Sequence, residues 1–126
     1  MRRIAVLAIV IGIACVPAAQ AGGGKANTRV TIDAAFRGMD GSYFSGDIFS
    51  PRRRCKNNRP VQVFRMKPGA DQRIGRTRSY KGIAQPGYYW TLFKKAAAYP
   101  SGNYYAKVNP TDRCKGDRSA SIASDF

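Results

Sequence analysis

From residue 28 onward, apolar and polar positions alternate with a period of two along most of the chain. In the stretch 28–36, Val30, Ile32, Ala34 and Phe36 share one parity, and Arg29, Thr31 and Asp33 take the other. That period belongs to a strand with one buried face. The same pattern predicts strands over 43–50, with Phe44, Gly46 and Ile48 inward, and over 60–66, with Val61 and Val63 inward. A polar strand over 73–79 carries Arg76-Thr77-Arg78 and reads as a sheet edge, where charge discourages edge-to-edge pairing. The stretch 88–93 holds the single tryptophan, Trp90, and 103–108 sets Tyr104, Ala106 and Val108 on one face. A last strand is expected over 119–124.

Turn chemistry separates these segments. Met39-Asp40-Gly41-Ser42, Pro51, Pro68-Gly69-Ala70-Asp71, Pro86-Gly87, Ser101-Gly102 and Asn109-Pro110-Thr111-Asp112 each supply a proline, or a glycine tolerant of positive φ. No amphipathic helix is present, and 92–99 has room for a turn or two at most. Seven strands with alternating patterning predict an all-β, antiparallel sandwich of two sheets.

The first 21 residues differ in kind. Arg2-Arg3 precedes an apolar run over 4–16 and then Pro17-Ala18-Ala19-Gln20-Ala21. This is the pattern of a signal peptide with Ala19 and Ala21 as the small cleavage-site residues. The run is shorter than the roughly 20 residues of a membrane span, which leaves an uncleaved anchor as the weaker alternative. Acylation at Cys15 is a second alternative, disfavoured by Gly12 three positions upstream. Gly22-Gly23-Gly24 opens a flexible tether over 22–27, and the sandwich domain is expected over 28–126. The mature chain would then be extracellular or periplasmic, monomeric, and without a transmembrane helix.

Removal of the leader leaves two of the three cysteines, Cys55 and Cys114, in an oxidising compartment. Their one intramolecular pairing is a disulfide; two free thiols or an intermolecular bridge are the alternatives. Two thiolates without a histidine make only half a structural zinc site, so no metal is expected. No cofactor is expected either.

Charge is lopsided. The whole chain has 22 Lys and Arg against 7 acidic residues, all aspartates, and a net charge of +15. Without Arg2 and Arg3 the balance is +13. A surface of this sign attracts phosphate polymers, anionic glycans, lipid headgroups and nucleic acid. The densest cluster is Arg52, Arg53, Arg54, Lys56 and Arg59, five cations within eight positions beside Cys55. Guanidinium forks suit phosphate and carboxylate oxygens, so the cluster is a candidate anion site; a merely solvated loop is the alternative. In Tyr88-Tyr89 and Tyr104-Tyr105, alternation should send one ring of each pair to the core and one to solvent, where it could stack on a base or sugar.

Catalytic residue types are scarce. There is no histidine and no glutamate, no Gly-x-Ser-x-Gly elbow and no Ser-x-x-Lys. Asp33, Asp40, Asp47 and Asp71 fall at turns or on outward positions. No enzymatic activity is expected.

The order Cys55, Arg59-Pro60-Val61-Gln62-Val63-Phe64-Arg65, Gly75-Arg76-Thr77, Gly102-Asn103-Tyr104-Tyr105-Ala106-Lys107-Val108, Cys114 resembles a group of small exported bacterial β-sandwich proteins. These look related to prealbumin-like, Cna-B-like and carboxypeptidase regulatory-like modules. The resemblance covers about 28–123. It implies an immunoglobulin-like sandwich serving as a stalk, spacer or accessory domain, without catalytic residues. An antibody domain would have its second cysteine where Ala106 stands, and its tryptophan soon after the first, whereas Trp90 lies 35 positions beyond Cys55. The disulfide should therefore staple strand ends or a loop. The expected role is a non-enzymatic extracytoplasmic structural or interaction module, meeting another extracellular protein or, alternatively, anionic envelope polymers at the basic 52–59 loop.

Overall fold

A computed structural model describes residues 24–95 and 99–126. The expected leader with Ala19, Ala21 and Cys15, and the alanines at 96–98, lie outside the described residues.

The described chain is all-β apart from one helical turn. Its elements are β1 (Arg29–Val30), β2 (Ala34–Arg37), β3 (Gly41–Phe49), α1 (Arg53–Lys56), β4 (Pro60–Arg65), β5 (Gln72–Arg78), β6 (Tyr80–Lys81), β7 (Tyr88–Lys95), β8 (Asn103–Val108), β9 (Asp117–Arg118) and β10 (Ile122–Ala123). They form two five-stranded antiparallel sheets. The first runs β1-β3-β7-β6, with β2 also on β3; the second runs β10-β8-β4-β5, with β9 also on β8. Expected and observed strands coincide at β3, β4, β5, β7 and β8. The edge position expected for Arg76-Thr77-Arg78 is that of β5. The expected last strand is instead two short pieces, β9 and β10, on one side of β8, and β6 is an element the alternation did not indicate.

Inward positions of the two sheets meet in one core. Val30, Phe44, Ile48, Trp90 and Leu92 come from the first sheet, and Val61, Val63, Ile74, Tyr104, Ala106 and Val108 from the second. Tyr104 reaches through this layer and donates its hydroxyl to the Pro100 carbonyl at 2.6 Å. The face of Phe44 is closed by Tyr104 and Phe126, with ring centroids at 5.1 and 6.3 Å.

The stretch 28–36 does not form one strand. Val30 pairs with Ile48 and Ala34 with Ser45, so the chain spends four residues where β3 spends three. One extra residue inverts the faces beyond it. Ala35 is therefore buried and Phe36 exposed, the reverse of the parity read from the sequence. The bulge is built around Gly46. The Thr31 carbonyl presses on this glycine, where a Cβ would lie 2.0 Å from the oxygen, and accepts the indole Nε1 of Trp90 at 2.9 Å. Only a residue without a side chain admits that approach. Gly46→Ala should cost roughly 1–3 kcal/mol through the forced backbone shift. It should also move Trp90 fluorescence, since the indole bond depends on the same carbonyl. A thermal melt and emission spectrum matching the parent would refute this account of the bulge.

The second sheet carries its own irregularity, a register shift between Val63 and Phe64 against β5. There Ile74 is the extra residue, and it turns inward. On its far side, Arg73, Arg76 and Arg78 share the outer face with Gln62 and Phe64.

Candidate functional site

The basic cluster singled out in the sequence lies at one end of the two sheets, on the turn that carries the disulfide. Pro51 ends β3, and the chain folds into α1, a single helical turn closed by Cys55 N–H on Arg52 O at 3.0 Å and Asn57 N–H on Arg53 O at 2.8 Å. It has no side-chain cap at its start, and its last turn contains Arg53, Arg54 and Lys56. Cations at that end complement the unpaired carbonyls of a helix C-terminus. So short a turn depends on outside anchors.

The disulfide is the main anchor. Cys55 and Cys114 are joined with a Cα–Cα distance of 5.5 Å, and both are buried. They pack with Ala26 in a small apolar cluster separate from the main core. The bond staples the helical turn α1 to the loop between β8 and β9, away from the middle of the core as expected. Ala26 is held there by its N–H on Arg113 O and by Lys115 N–H on its own carbonyl, both at 2.8 Å. The expected tether over 22–27 thus meets the folded domain at Ala26, two residues before 28.

Arg59 separates from the other cations. It is 3 % exposed and points inward. Its guanidinium donates to the carbonyls of Cys55 (2.9 Å), Asn109 (2.7 Å) and Lys115 (3.0 Å) and to Thr28 Oγ1 (3.4 Å). Burial pushes its pKa down from the ordinary arginine range. The five-cation cluster therefore resolves into surface and interior members: Arg52, Arg53 and Arg54 are exposed, Lys56 is half-buried, and Arg59 braces the disulfide loop from within.

Lys56 joins a feature the sequence did not reveal. Its Nζ lies 5.0 Å from the ring centre of Tyr88, and Arg29 sits over Phe49 at 4.6 Å. These two cation–aromatic couples rim an open cleft of about 380 Å³ walled by Ile48, Phe49, Pro51 and Tyr88. The cleft offers apolar wall and positive rim together, a combination suited to an amphipathic anion.

Each tyrosine pair splits between the two faces as the alternation predicts, but the outer rings are more covered than expected. Tyr88 and Tyr89 are both half-buried, with Tyr88 against the core and Tyr89 bonded to Pro86 O at 2.7 Å. Tyr104 and Tyr105 are both buried, although they face opposite sides of β8. Tyr105 stacks on Phe64 at 5.3 Å, is covered by the Arg118 guanidinium at 3.8 Å, and donates to Asp71 at 2.7 Å. The bond from Tyr105 leads the influences holding the Asp71 carboxyl below its usual range, and burial leads those raising Tyr105. Neither ring is free to stack on a ligand.

Asp33 and Asp47 come together across the bulge. Burial, a hydrogen bond with Asp33 and the Asp33 charge raise the Asp47 pKa, and Arg29 opposes them. Among the described residues, no group of three or more Cys or Asp side chains is placed to hold a metal ion, and no helix is long and apolar enough to cross a membrane.

Fold and site together define a two-sheet, all-β, disulfide-stapled domain with a basic end. No family model, curated protein or solved structure matches the chain.

Proposed function

We propose that this chain is exported and works outside the cytoplasm as a non-enzymatic interaction module with an immunoglobulin-like, prealbumin-like sandwich, whose basic end meets a phosphate-bearing anionic surface of the cell envelope. The observation that carries the partner class is the placement of Arg52, Arg53 and Arg54, all exposed on a covalently anchored turn, beside an apolar cleft rimmed by Lys56 and Arg29. An anionic amphiphile can use both: headgroup oxygens meet guanidinium forks while an apolar portion meets Phe49 and Tyr88. The bond from Tyr104 to Pro100, four residues upstream, supports the sandwich type, since immunoglobulin-like sandwiches use such a tyrosine corner. The leader pattern over 1–21, with Ala19 and Ala21 at its end, supports export.

Co-sedimentation with vesicles tests the partner class. The protein should bind phosphatidylglycerol vesicles and ignore phosphatidylcholine vesicles, and its binding should weaken steeply with salt. Replacing Arg52, Arg53 and Arg54 together with serine should lower the affinity roughly 100-fold, given about 1 kcal/mol per cation near an anionic surface. Binding indifferent to the triple replacement would discard the basic end as the contact.

A further inference from the structure

We propose that the outer face of the second sheet is a separate binding surface for a linear polyol-phosphate polymer, an unbranched chain of sugar alcohols joined by phosphodiesters. The choice of an envelope polymer rests on the export reading above; the surface itself rests on strand register. Gln62 lies opposite Arg76 on one side and Lys107 on the other, and Lys107 lies opposite Arg118. Residues opposite one another in a sheet project from the same face. Arg76, Gln62, Lys107 and Arg118 therefore form one row across β5, β4, β8 and β9, about 14 Å long at the usual spacing of strands. Arg73 flanks the row on one side, opposite Phe64, and Arg78 on the other, opposite Pro60.

Five cations thus project from three strands, β5, β8 and β9, with the Gln62 amide of β4 between them, set by the ladder and not by a loop. Only one carboxylate engages them: Asp71 stands 4.0 Å from Arg118, the one ion pair among the described residues. Arg78 also bonds the Asn58 carbonyl at 3.0 Å. Arg73, Arg76 and Lys107 are exposed. The outer face of the first sheet is unlike this. There Phe36, Tyr43 and Phe93 stack side by side at 5.1 and 4.7 Å.

Two features favour a phosphate polymer without bases. The aromatic rings within the basic face, Phe64 and Tyr105, are stacked on each other, and Tyr105 is 5 % exposed beneath Arg118. Base recognition on a sheet needs open ring faces, so this surface reads backbone charge and not bases. The cations are also dense, which matches a polymer carrying one charge per repeat better than a glycan charged at every second sugar. The Gln62 amide, between Arg76 and Lys107, adds a neutral donor to the row.

The test is fluorescence anisotropy with labelled, lipid-free poly(glycerol phosphate), the whole protein, and a salt series. Oligo-thymidylate and heparin of matched charge serve as comparison probes. Poly(glycerol phosphate) should bind more tightly than either. An Arg76→Ser/Lys107→Ser protein should lose roughly tenfold in affinity and about 1.4 in the slope of log affinity against log salt. Both positions are exposed, so circular dichroism and melting should stay as in the parent. The Arg52→Ser/Arg53→Ser/Arg54→Ser protein should bind this polymer within twofold of the parent, although it loses vesicles. Equal losses in the two variants would mean diffuse attraction and overturn the surface. A loss confined to the loop variant would overturn it while leaving the proposed function standing. Tighter binding of oligo-thymidylate or heparin would overturn the polymer class. Loss of vesicle binding in the sheet variant alone would overturn the basic-end reading instead.

Discussion

Replacing Cys55 and Cys114 together with alanine should lower the stability of the folded domain by about 4 kcal/mol, since the bond closes a sequence separation of 59. For a domain of this size that corresponds to a fall in melting temperature of roughly 15–30 °C. The effect is large because the link does two things. In the unfolded chain it removes the freedom of a long loop. In the folded chain it is the centre of the small Ala26–Cys55–Cys114 cluster, which has no other large apolar side chain to replace it. The stretch at Ala26, α1 and the loop at Cys114 should loosen together, and hydrogen exchange should quicken at the Ala26 and Lys115 amides before it does at Val63 or Ala106. A calorimetric scan shifting by less than 5 °C would show that the loops are held by something other than this bond.

That pairing could be read from the sequence, because the two cysteines expected to follow a cleaved leader have only one possible partner each. The strongest strands were legible for an equally simple reason. Where one face of a strand is buried and the other wet, as in Val61-Gln62-Val63 and Tyr104-Tyr105-Ala106-Lys107-Val108, composition itself reports the faces. The alternation failed where a third element dictated the geometry. Val30, Ile32, Ala34 and Phe36 keep an unbroken parity, but Gly46 on the neighbouring strand and Trp90 on the next demand an extra residue near Thr31, and no local pattern records that demand. The two-residue strands β1, β6, β9 and β10 are too short to show any period. Tyr105 was misread because its outward position is covered by Phe64 and Arg118, residues remote in sequence. The cation row on the second sheet was hidden for a related reason. Arg76, Lys107 and Arg118 come into line only through three pairings, one of them on a ladder with a bulge.

Arg59 shows the limit of counting charges, and replacing it gives the second large effect. Arg59→Met keeps the apolar stem but leaves the Cys55, Asn109 and Lys115 carbonyls without their shared donor. A buried polar group left unmatched costs about 1–3 kcal/mol, and water can reach part of this site, so the net loss should be roughly 3 kcal/mol. Arg59→Lys should recover little of it. A lysine ammonium is a point donor, whereas the two terminal nitrogens of the fork reach three carbonyls on two separate segments. The same carbonyls belong to the loops tied by Cys55–Cys114, so the two losses should not add. In the disulfide-free protein, Arg59→Met should cost about 1 kcal/mol less than in the parent. The double cycle, read from urea unfolding, checks this coupling. Vesicle binding by the single variant, measured well below its melting point, separates the interior role from a surface one. Because Arg59 donates inward, the folded variant should bind phosphatidylglycerol vesicles as the parent does, while the Arg52, Arg53 and Arg54 replacements do not. A folded Arg59→Met protein that had lost those vesicles would return this arginine to the surface cluster and remove the brace on which the coupling argument stands.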